Sequence, residues 1–175
     1  MTAAARHAIR VIAHRNPDPV DVLATVNEVI LAGDYEDRFV TVKLAYLRRD
    51  GDQGRWVGEL ASSGHPGPAV VRPDGRVDVL TGGGLPLGLF PDAEPERETV
   101  QLGPGDLLFF YSDGVTEARS PDRQYFEDRL ADELADMAGR PAAVATRMMQ
   151  VLVSRFTGDD LRDDMTILVA RVSAG

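Results

Sequence analysis

Apolar residues at the start of the chain recur at helical spacing. Over residues 1–12 this pattern predicts a first helix, which Asn16-Pro17 ends. A second helix is predicted to begin at Pro19, with Asp18 as its N-cap, and to end at Gly33. Its apolar face repeats every three or four residues at Val22, Leu23, Val26, Val29 and Ile30.

From Phe39 onward the apolar period shortens to that of strands. Three pairs of short strands flank turn sequences, and links this short favour antiparallel hairpins. The predicted pairs are 39–47 with 55–62, 68–72 with 76–80, and 99–102 with 107–112. Helical spacing returns over 127–137 and 141–156, and a closing strand is predicted over 165–172. This order predicts an α+β fold with a core of antiparallel sheet and helices outside.

The composition suits one globular domain spanning residues 1–175 and narrows its partners. Lys and Arg number 19 against 28 Asp and Glu, a net charge of −9, so no nucleic acid is expected as a partner. No apolar run reaches the ~18 residues of a membrane helix, and the N-terminus lacks signal-peptide features, so we expect a cytoplasmic protein without membrane contact. Cysteine is absent, and a bound cation would therefore be a hard one such as Mg²⁺ or Mn²⁺.

Two acidic clusters stand at the ends of predicted core strands. Asp113-Gly114 follows the apolar run 107–111, and Asp163-Asp164 precedes the strand that begins at Met165. Carboxylates held at strand ends can converge on one cation. Asp-Gly after a strand is also typical of a simple turn, and paired Asp residues are typical of a solvated loop. Spacing alone leaves both interpretations open.

Four segments carry further information together. They read Ala-Ser-Ser-Gly-His-Pro at 61–66, Gly-Leu-Pro-Leu-Gly at 84–88, Gly-Pro-Gly-Asp-Leu-Leu-Phe-Phe-Tyr-Ser-Asp-Gly-Val-Thr-Glu-Ala at 103–118, and Asp-Asp-Met-Thr at 163–166. In this order they resemble the motifs of the SpoIIE-like branch of the PPM family, the metal-dependent serine/threonine protein phosphatases. The resemblance covers nearly the whole chain, and four weak motifs in the family's order are specific at family level.

The resemblance implies a fold, a chemistry and a substrate class. The implied fold is a four-layer α/β/β/α sandwich of two antiparallel sheets flanked by helices, with two Mn²⁺ or Mg²⁺ ions at one end. Asp113 and Asp163 match the metal ligands that carry catalysis, and Gly114 and Asp164 stand beside them as supporting positions. The implied activity is hydrolysis of phosphoserine or phosphothreonine on a regulatory protein, an anti-sigma-factor antagonist in bacterial partner switching.

One family motif has no counterpart in this chain. Family members carry a strand ending in Gly-Asp-(x)-x-Gly-x-Gly before the first long helix, and its Asp bridges the two metals. The chain contains no such sequence, so we expect an N-terminally incomplete domain lacking its first strands. A late start codon, a fragment and a degenerate family member all remain open. Without the bridging charge, two close cations repel each other, and at most one weakly held ion is expected.

The missing motif keeps a second function open, that of a catalytically silent module that binds regulatory partners. A phosphoacceptor receiver domain with Asp113 as the acceptor is a weaker third interpretation, because receivers are built on a parallel sheet. Exposed sheet edges favour a homodimer. His65 is expected to be a structural hydrogen-bonding residue, and Glu117 and Arg119 are expected to order their loop by ion pairing.

Overall fold

The computed structural model describes residues 2–33, 39–51 and 54–173. Within them the chain forms five helices and seven strands. In chain order these are α1 (Thr2–Ala13), α2 (Pro19–Leu31), β1 (Val42–Asp50), β2 (Arg55–Ser63), β3 (Ala69–Val71), β4 (Val77–Val79), β5 (Glu96–Leu102), β6 (Leu107–Tyr111), α3 (Asp113–Thr116), α4 (Glu127–Ala135), α5 (Ala142–Thr157) and β7 (Ile167–Arg171). These elements form two compact units.

The first unit combines α1 and α2 with a three-stranded sheet in the order β1-β2-β5. Asp18 caps α2 as predicted: its carboxylate accepts the backbone N–H groups of Val20 and Asp21 at 2.9 and 3.3 Å. The apolar stripe of α2 is fully buried at Val22 and Leu23. It packs in a cluster with Ala5, Val26, Ile30, Ala61 and Leu87.

A buried amide ties α2 to the apolar loop that follows β4. Asn27 is 2% exposed; its side chain donates to the carbonyl of Phe90 at 2.9 Å and accepts the N–H of Gly88 at 2.8 Å. The Gly88 N–H and the Phe90 carbonyl lie in a loop, where no helix or strand supplies a hydrogen-bond partner. The Asn27 side chain supplies one to each. Asn27 thus adds two hydrogen bonds to the apolar packing of Leu87 that holds the loop against the helix.

The second unit is built on a four-stranded sheet in the order β4-β3-β6-β7. Every pair is antiparallel, with Val70 opposite Asp78 and Leu108, and Phe109 opposite Val169. Helices α4 and α5 bury their apolar faces in the same cluster as β3 and β6. The edge of the Phe126 ring packs against Phe156 with centroids 5.3 Å apart.

The α+β class and the two antiparallel sheets flanked by helices are confirmed. Antiparallel pairing also excludes a receiver domain, which needs a parallel sheet. Every described element except α3 lies where a helix or strand was predicted, with ends that differ by at most three residues. The predicted turn after β1 includes Asp52, which lies outside the described residues. The single-domain organisation over 1–175 stays a prediction.

The hairpin predicted between 99–102 and 107–112 is wrong. β5 joins the first sheet, whereas β6 lies between β3 and β7 in the second. The turn between β5 and β6 makes hydrogen bonds with residues that are distant in sequence. The Gly105 N–H donates to the Val172 carbonyl, and the Asp106 carboxylate accepts a hydrogen bond of 2.6 Å from the Arg72 guanidinium. These contacts replace the strand pairing that the short link favoured. Among the described residues, no helix is long and apolar enough to cross a bilayer.

Candidate functional site

The two acidic clusters lie at the same end of one strand pair. β6 and β7 are antiparallel, and Tyr111, the last residue of β6, stands opposite Ile167, the first of β7. Asp113 follows β6 by two residues, and Asp163 and Asp164 precede β7 by a few. Burial, with the nearby negative charge of Glu127, raises the pKa of Tyr111 above its ordinary 10.0, so this phenol is a neutral core group.

Ser112 joins the two segments by three hydrogen bonds. Its backbone N–H donates to the Thr166 carbonyl at 3.0 Å, and its hydroxyl accepts the Thr166 N–H at 3.0 Å. The same hydroxyl donates to the Asp164 carbonyl at 3.3 Å. Because the hydroxyl is used in this way, it does not cap α3, whose N-cap position it occupies.

Gly114 brings the start of α3 against the Asp163-Asp164 segment. A Cβ atom at this position would stand 2.4 Å from the Asp164 carbonyl oxygen and 3.0 Å from its carbon, closer than real contacts allow. Gly114 is buried, while the neighbouring Asp113 and Asp163 are exposed. The approach of these backbones therefore requires glycine.

The carboxylates of Asp113 and Asp163 are open to solvent and oriented locally. One oxygen of Asp113 accepts the Gly114 N–H at 3.0 Å, and one oxygen of Asp163 accepts the Asp164 N–H at 2.7 Å. Two carboxylates suit one hydrated Mg²⁺ or Mn²⁺, because Mg²⁺ commonly binds one or two carboxylates and keeps several waters. The described residues do not supply the larger set of ligands that a pair of cations requires. Among them, no group of three or more His, Cys, Asp or Glu side chains could hold a metal. The roles of Asp113, Asp163, Gly114 and Asp164 stay predictions.

Residues 118–126 form an ordered loop beside α3. The Arg119 guanidinium lies 4.5 Å from the centroid of the Tyr125 ring and donates to the Tyr125 hydroxyl. In the described part of the chain neither Arg119 nor Glu117 makes an ion pair, so the expectation that these two residues order their loop by ion pairing is wrong. The sequence signal that was missed is Tyr125, an aromatic partner six residues farther along the chain.

The other two motif segments meet in the first unit. The N–H of Gly64 donates to the Gly83 carbonyl at 2.7 Å, and the N–H of Gly83 donates to the His65 carbonyl at 3.1 Å. The Nδ1 atom of His65 lies 3.2 Å from the Pro66 carbonyl oxygen. His65 is thus a hydrogen-bonding residue of the turn, as expected.

Lys43, the only lysine of the sequence, has a buried side chain beside Thr81, the residue that precedes the three glycines at 82–84. The Lys43 side chain is 3% exposed; its Nζ donates to the Thr81 carbonyl at 3.0 Å and lies 3.8 Å from the Glu98 carboxylate. Burial lowers the pKa of Lys43 from 10.5, and the charges of Glu98 and Glu96 oppose that shift. Glu98 also accepts the Thr81 N–H at 3.0 Å, so both charges hold the loop at Thr81.

A family model described as stage II sporulation protein E (SpoIIE) matches residues 1–173. The chain belongs to the SpoIIE family. This membership confirms the resemblance that the four motifs indicated.

The similarity of the chain to proteins of known name is consistent with its membership of the SpoIIE family. The chain is 27% identical over 154 residues to phosphoserine phosphatase RsbU of Bacillus subtilis, covering 87% of this chain and 45% of that protein. A crystal structure of the RsbU and RsbW domains of Rv1364c from Mycobacterium tuberculosis is similar with 26% identity and a TM-score of 0.78, over 97% of this chain and 46% of that one.

The Mn-presoaked phosphatase domain of SpoIIE from Bacillus subtilis, 17% identical, shares the fold with a TM-score of 0.70 over 98% of this chain and 74% of that one. This SpoIIE-family chain spans less than half the length of the curated relatives it matches.

Proposed function

We propose that this chain is a phosphatase domain that hydrolyses phosphoserine or phosphothreonine on a regulatory protein with the help of a divalent cation. The observation that carries the proposal is the β6–β7 end, where three hydrogen bonds of Ser112 join the segments of Asp113 and Asp163. Family membership and the likeness to RsbU support it.

In this proposal Asp113 and Asp163 hold the cation and Gly114 sets their spacing. When bound, a divalent cation supplies a more acidic water and neutralises phosphate oxygens. The exposed carboxylates leave room for a phosphorylated side chain to approach from solvent, and their hydrogen bonds to Gly114 and Asp164 fix one oxygen of each. Covalent attack by a cysteine has no part in this scheme, because the sequence contains none.

Hydrolysis of a phosphoserine peptide in Mn²⁺, with and without EDTA, tests the proposal. We expect phosphate release that requires the metal and is lost in Asp113→Asn and in Asp163→Asn. Asp132→Asn, an exposed position on α4, is the matched control and should behave as the wild type. Turnover that survives both substitutions would refute the assignment of the site.

The specific substrate that we propose is an anti-sigma-factor antagonist, which the domain would dephosphorylate in the cytoplasm during partner switching. It follows from the family resemblance and is supported by the RsbU relatives. Incubating the chain with a phosphorylated antagonist and with an unrelated phosphoprotein checks it. Equal rates on both substrates would argue against a dedicated antagonist phosphatase.

A silent binding module is the second candidate function. It is favoured by the donor set, since no group of three metal-ligating side chains exists in the described residues. Such a module would bind a phosphorylated partner with unchanged affinity in EDTA and release no phosphate. Metal-dependent release would eliminate it.

Self-association is also part of the proposal. β7 is the last strand of its sheet, and Leu168 on it is 62% exposed. An edge strand with an exposed apolar side chain favours pairing with a second copy. Light scattering should give a dimer whose fraction falls in Leu168→Lys but not in Val144→Lys, a change on α5. A monomer at all concentrations would refute this.

A further inference from the structure

A polar cavity opens beside the Asp163 segment in the second unit. Its volume is ≈ 630 Å³. The charged residues that line it come from the end of α3 and the loop that follows it, and from the segment between α5 and β7, namely Glu117, Arg119, Asp160, Arg162 and Asp163. The cavity therefore adjoins one of the two proposed metal ligands.

The charges of this cavity pose a problem for a phosphorylated substrate. A phosphomonoester carries close to two negative charges, and Glu117, Asp160 and Asp163 each add one to the wall. Like charges near a protein surface repel one another. A divalent cation supplies two positive charges, fewer than the negative charges of the phosphate and these carboxylates together, so a guanidinium in the cavity would help to balance them.

The two arginines of the cavity differ in how firmly they are held. Arg119 is engaged by the ring and the hydroxyl of Tyr125 and serves to order its loop. The Nε atom of Arg162 lies 3.6 Å from the Asp160 carboxylate, and the two side chains are 77% and 75% exposed. An ion pair this exposed contributes little to stability. Arg162 can therefore exchange Asp160 for a better anion.

We infer that Arg162 binds the phosphoryl group of the substrate in this cavity, leaving Asp160 when phosphate enters. The inference rests on the proposed phosphatase function and names the residue that recognises its substrate class. A planar guanidinium donates two parallel hydrogen bonds to phosphate oxygens, which Asp160 at 3.6 Å does not fully use. Because Arg162 directly precedes Asp163, it places this donor next to a proposed metal ligand. Arg162 is thus a substrate-binding residue.

Binding of inorganic phosphate in Mg²⁺ buffer, followed by NMR titration, tests the inference without any turnover. We expect Arg162→Ala to weaken phosphate binding by about tenfold, the usual effect of losing a charge-assisted hydrogen bond. Arg162→Lys should retain part of the affinity, because lysine keeps the charge and loses the fork. Asp160→Asn should tighten binding, because it removes both the competitor and a negative charge. Arg155→Ala, an exposed arginine on α5, is the control and should match the wild type.

Turnover separates this inference from the function on which it rests. With a phosphoserine peptide in Mn²⁺, Arg162→Ala should raise KM by about tenfold and leave kcat within about twofold. Phosphate binding that depends on Arg162 in a chain without turnover would refute the phosphatase function and support the anion site. Equal phosphate affinity of the wild type and Arg162→Ala, or no phosphate binding by the wild type, would overturn the inference.

Discussion

The carbonyl oxygen of Asp164 lies 2.4 Å from the place where a Cβ atom on Gly114 would stand. Gly114→Ala must therefore push the Asp163-Asp164 segment away from α3. We expect a loss of about 2 kcal/mol in the free energy of unfolding, as for other overpacked sites, together with weaker Mn²⁺ binding. Denaturant unfolding and metal titration measure both.

Gly103→Ala is the matched control for Gly114→Ala. A Cβ atom there would meet only the Asp106 carboxylate, at an ordinary 3.8 Å. We expect its effect on unfolding to stay within about 0.5 kcal/mol and Mn²⁺ binding to be unchanged. Equal effects of the two substitutions would contradict the role given to Gly114.

Metal stoichiometry follows from the number of carboxylates at the β6–β7 end. We expect at most one Mn²⁺ per chain, weakly bound, and slow hydrolysis of p-nitrophenyl phosphate, because a single ion cannot both generate the nucleophile and clamp the leaving oxygen as well as two. Calorimetry and a colorimetric assay give both quantities. Two tightly held ions with fast turnover would mean that another carboxylate takes part, with Asp164 and Glu117 as the nearest candidates.

The α2 helix and the Gly-Leu-Pro-Leu-Gly segment at 84–88 were each indicated by the sequence, but their connection was not. The Asp18-Pro19 start of α2 is a local signal, since the cap satisfies the N–H groups of the next residues. Asn27 gives no such signal, because its partners, Gly88 and Phe90, lie about sixty residues away. Local patterns predict elements; contacts between remote segments arise only in the fold.

Asn27→Ala should cost about 3 kcal/mol of unfolding free energy. The substitution leaves the Gly88 N–H and the Phe90 carbonyl without their partner in a buried place, and each unsatisfied group costs roughly 1–3 kcal/mol. Urea unfolding measures the loss. Glu28→Ala, the exposed neighbour on the same helix, should change little, and similar losses for both variants would contradict the bridging role.

Lys43→Met should lower the free energy of unfolding by about 2 kcal/mol, because it leaves the Glu98 carboxylate partly buried without its cation. The double variant Lys43→Met/Glu98→Gln should recover part of that loss. Arg48→Met, at the exposed end of the same strand, is the control. A double variant less stable than the single one would contradict the pairing.

Acid stability depends on the pair between Asp18 and Arg97. The hydrogen bond from Arg97, at 2.7 Å, lowers the pKa of Asp18 below its ordinary 3.8. The folded pKa is depressed, so the stabilisation is present above pH 3.8 and is lost as the pH falls through the folded value. NMR titration of Arg97→Gln should show a higher Asp18 pKa and a shallower loss of stability below pH 3.8. An unchanged pKa would refute the coupling.

The candidate site, like the fold, could be predicted from the sequence only in part. The resemblance implied that Asp113 and Asp163 serve one cation, and the pairing of β6 with β7 places the two residues at the same end of this strand pair. Their role as metal ligands stays a prediction. The short helix α3 was missed, since Asp113-Gly114 after a strand is typical of a turn. The close approach of the Asp164 carbonyl to Gly114 could not be predicted either, because that contact spans fifty residues of sequence.

The Ser112 hydroxyl, shared between Thr166 and Asp164, makes the length of the segment 163–166 critical. Deleting one residue there would shift β7 by about 3.3 Å along β6 and exchange its faces. Leu168 would turn inward, and Ile167 and Val169, which pack on the core, would turn to solvent. An insertion or deletion in this segment would therefore disturb the core and the position of Asp163 relative to Asp113 at once.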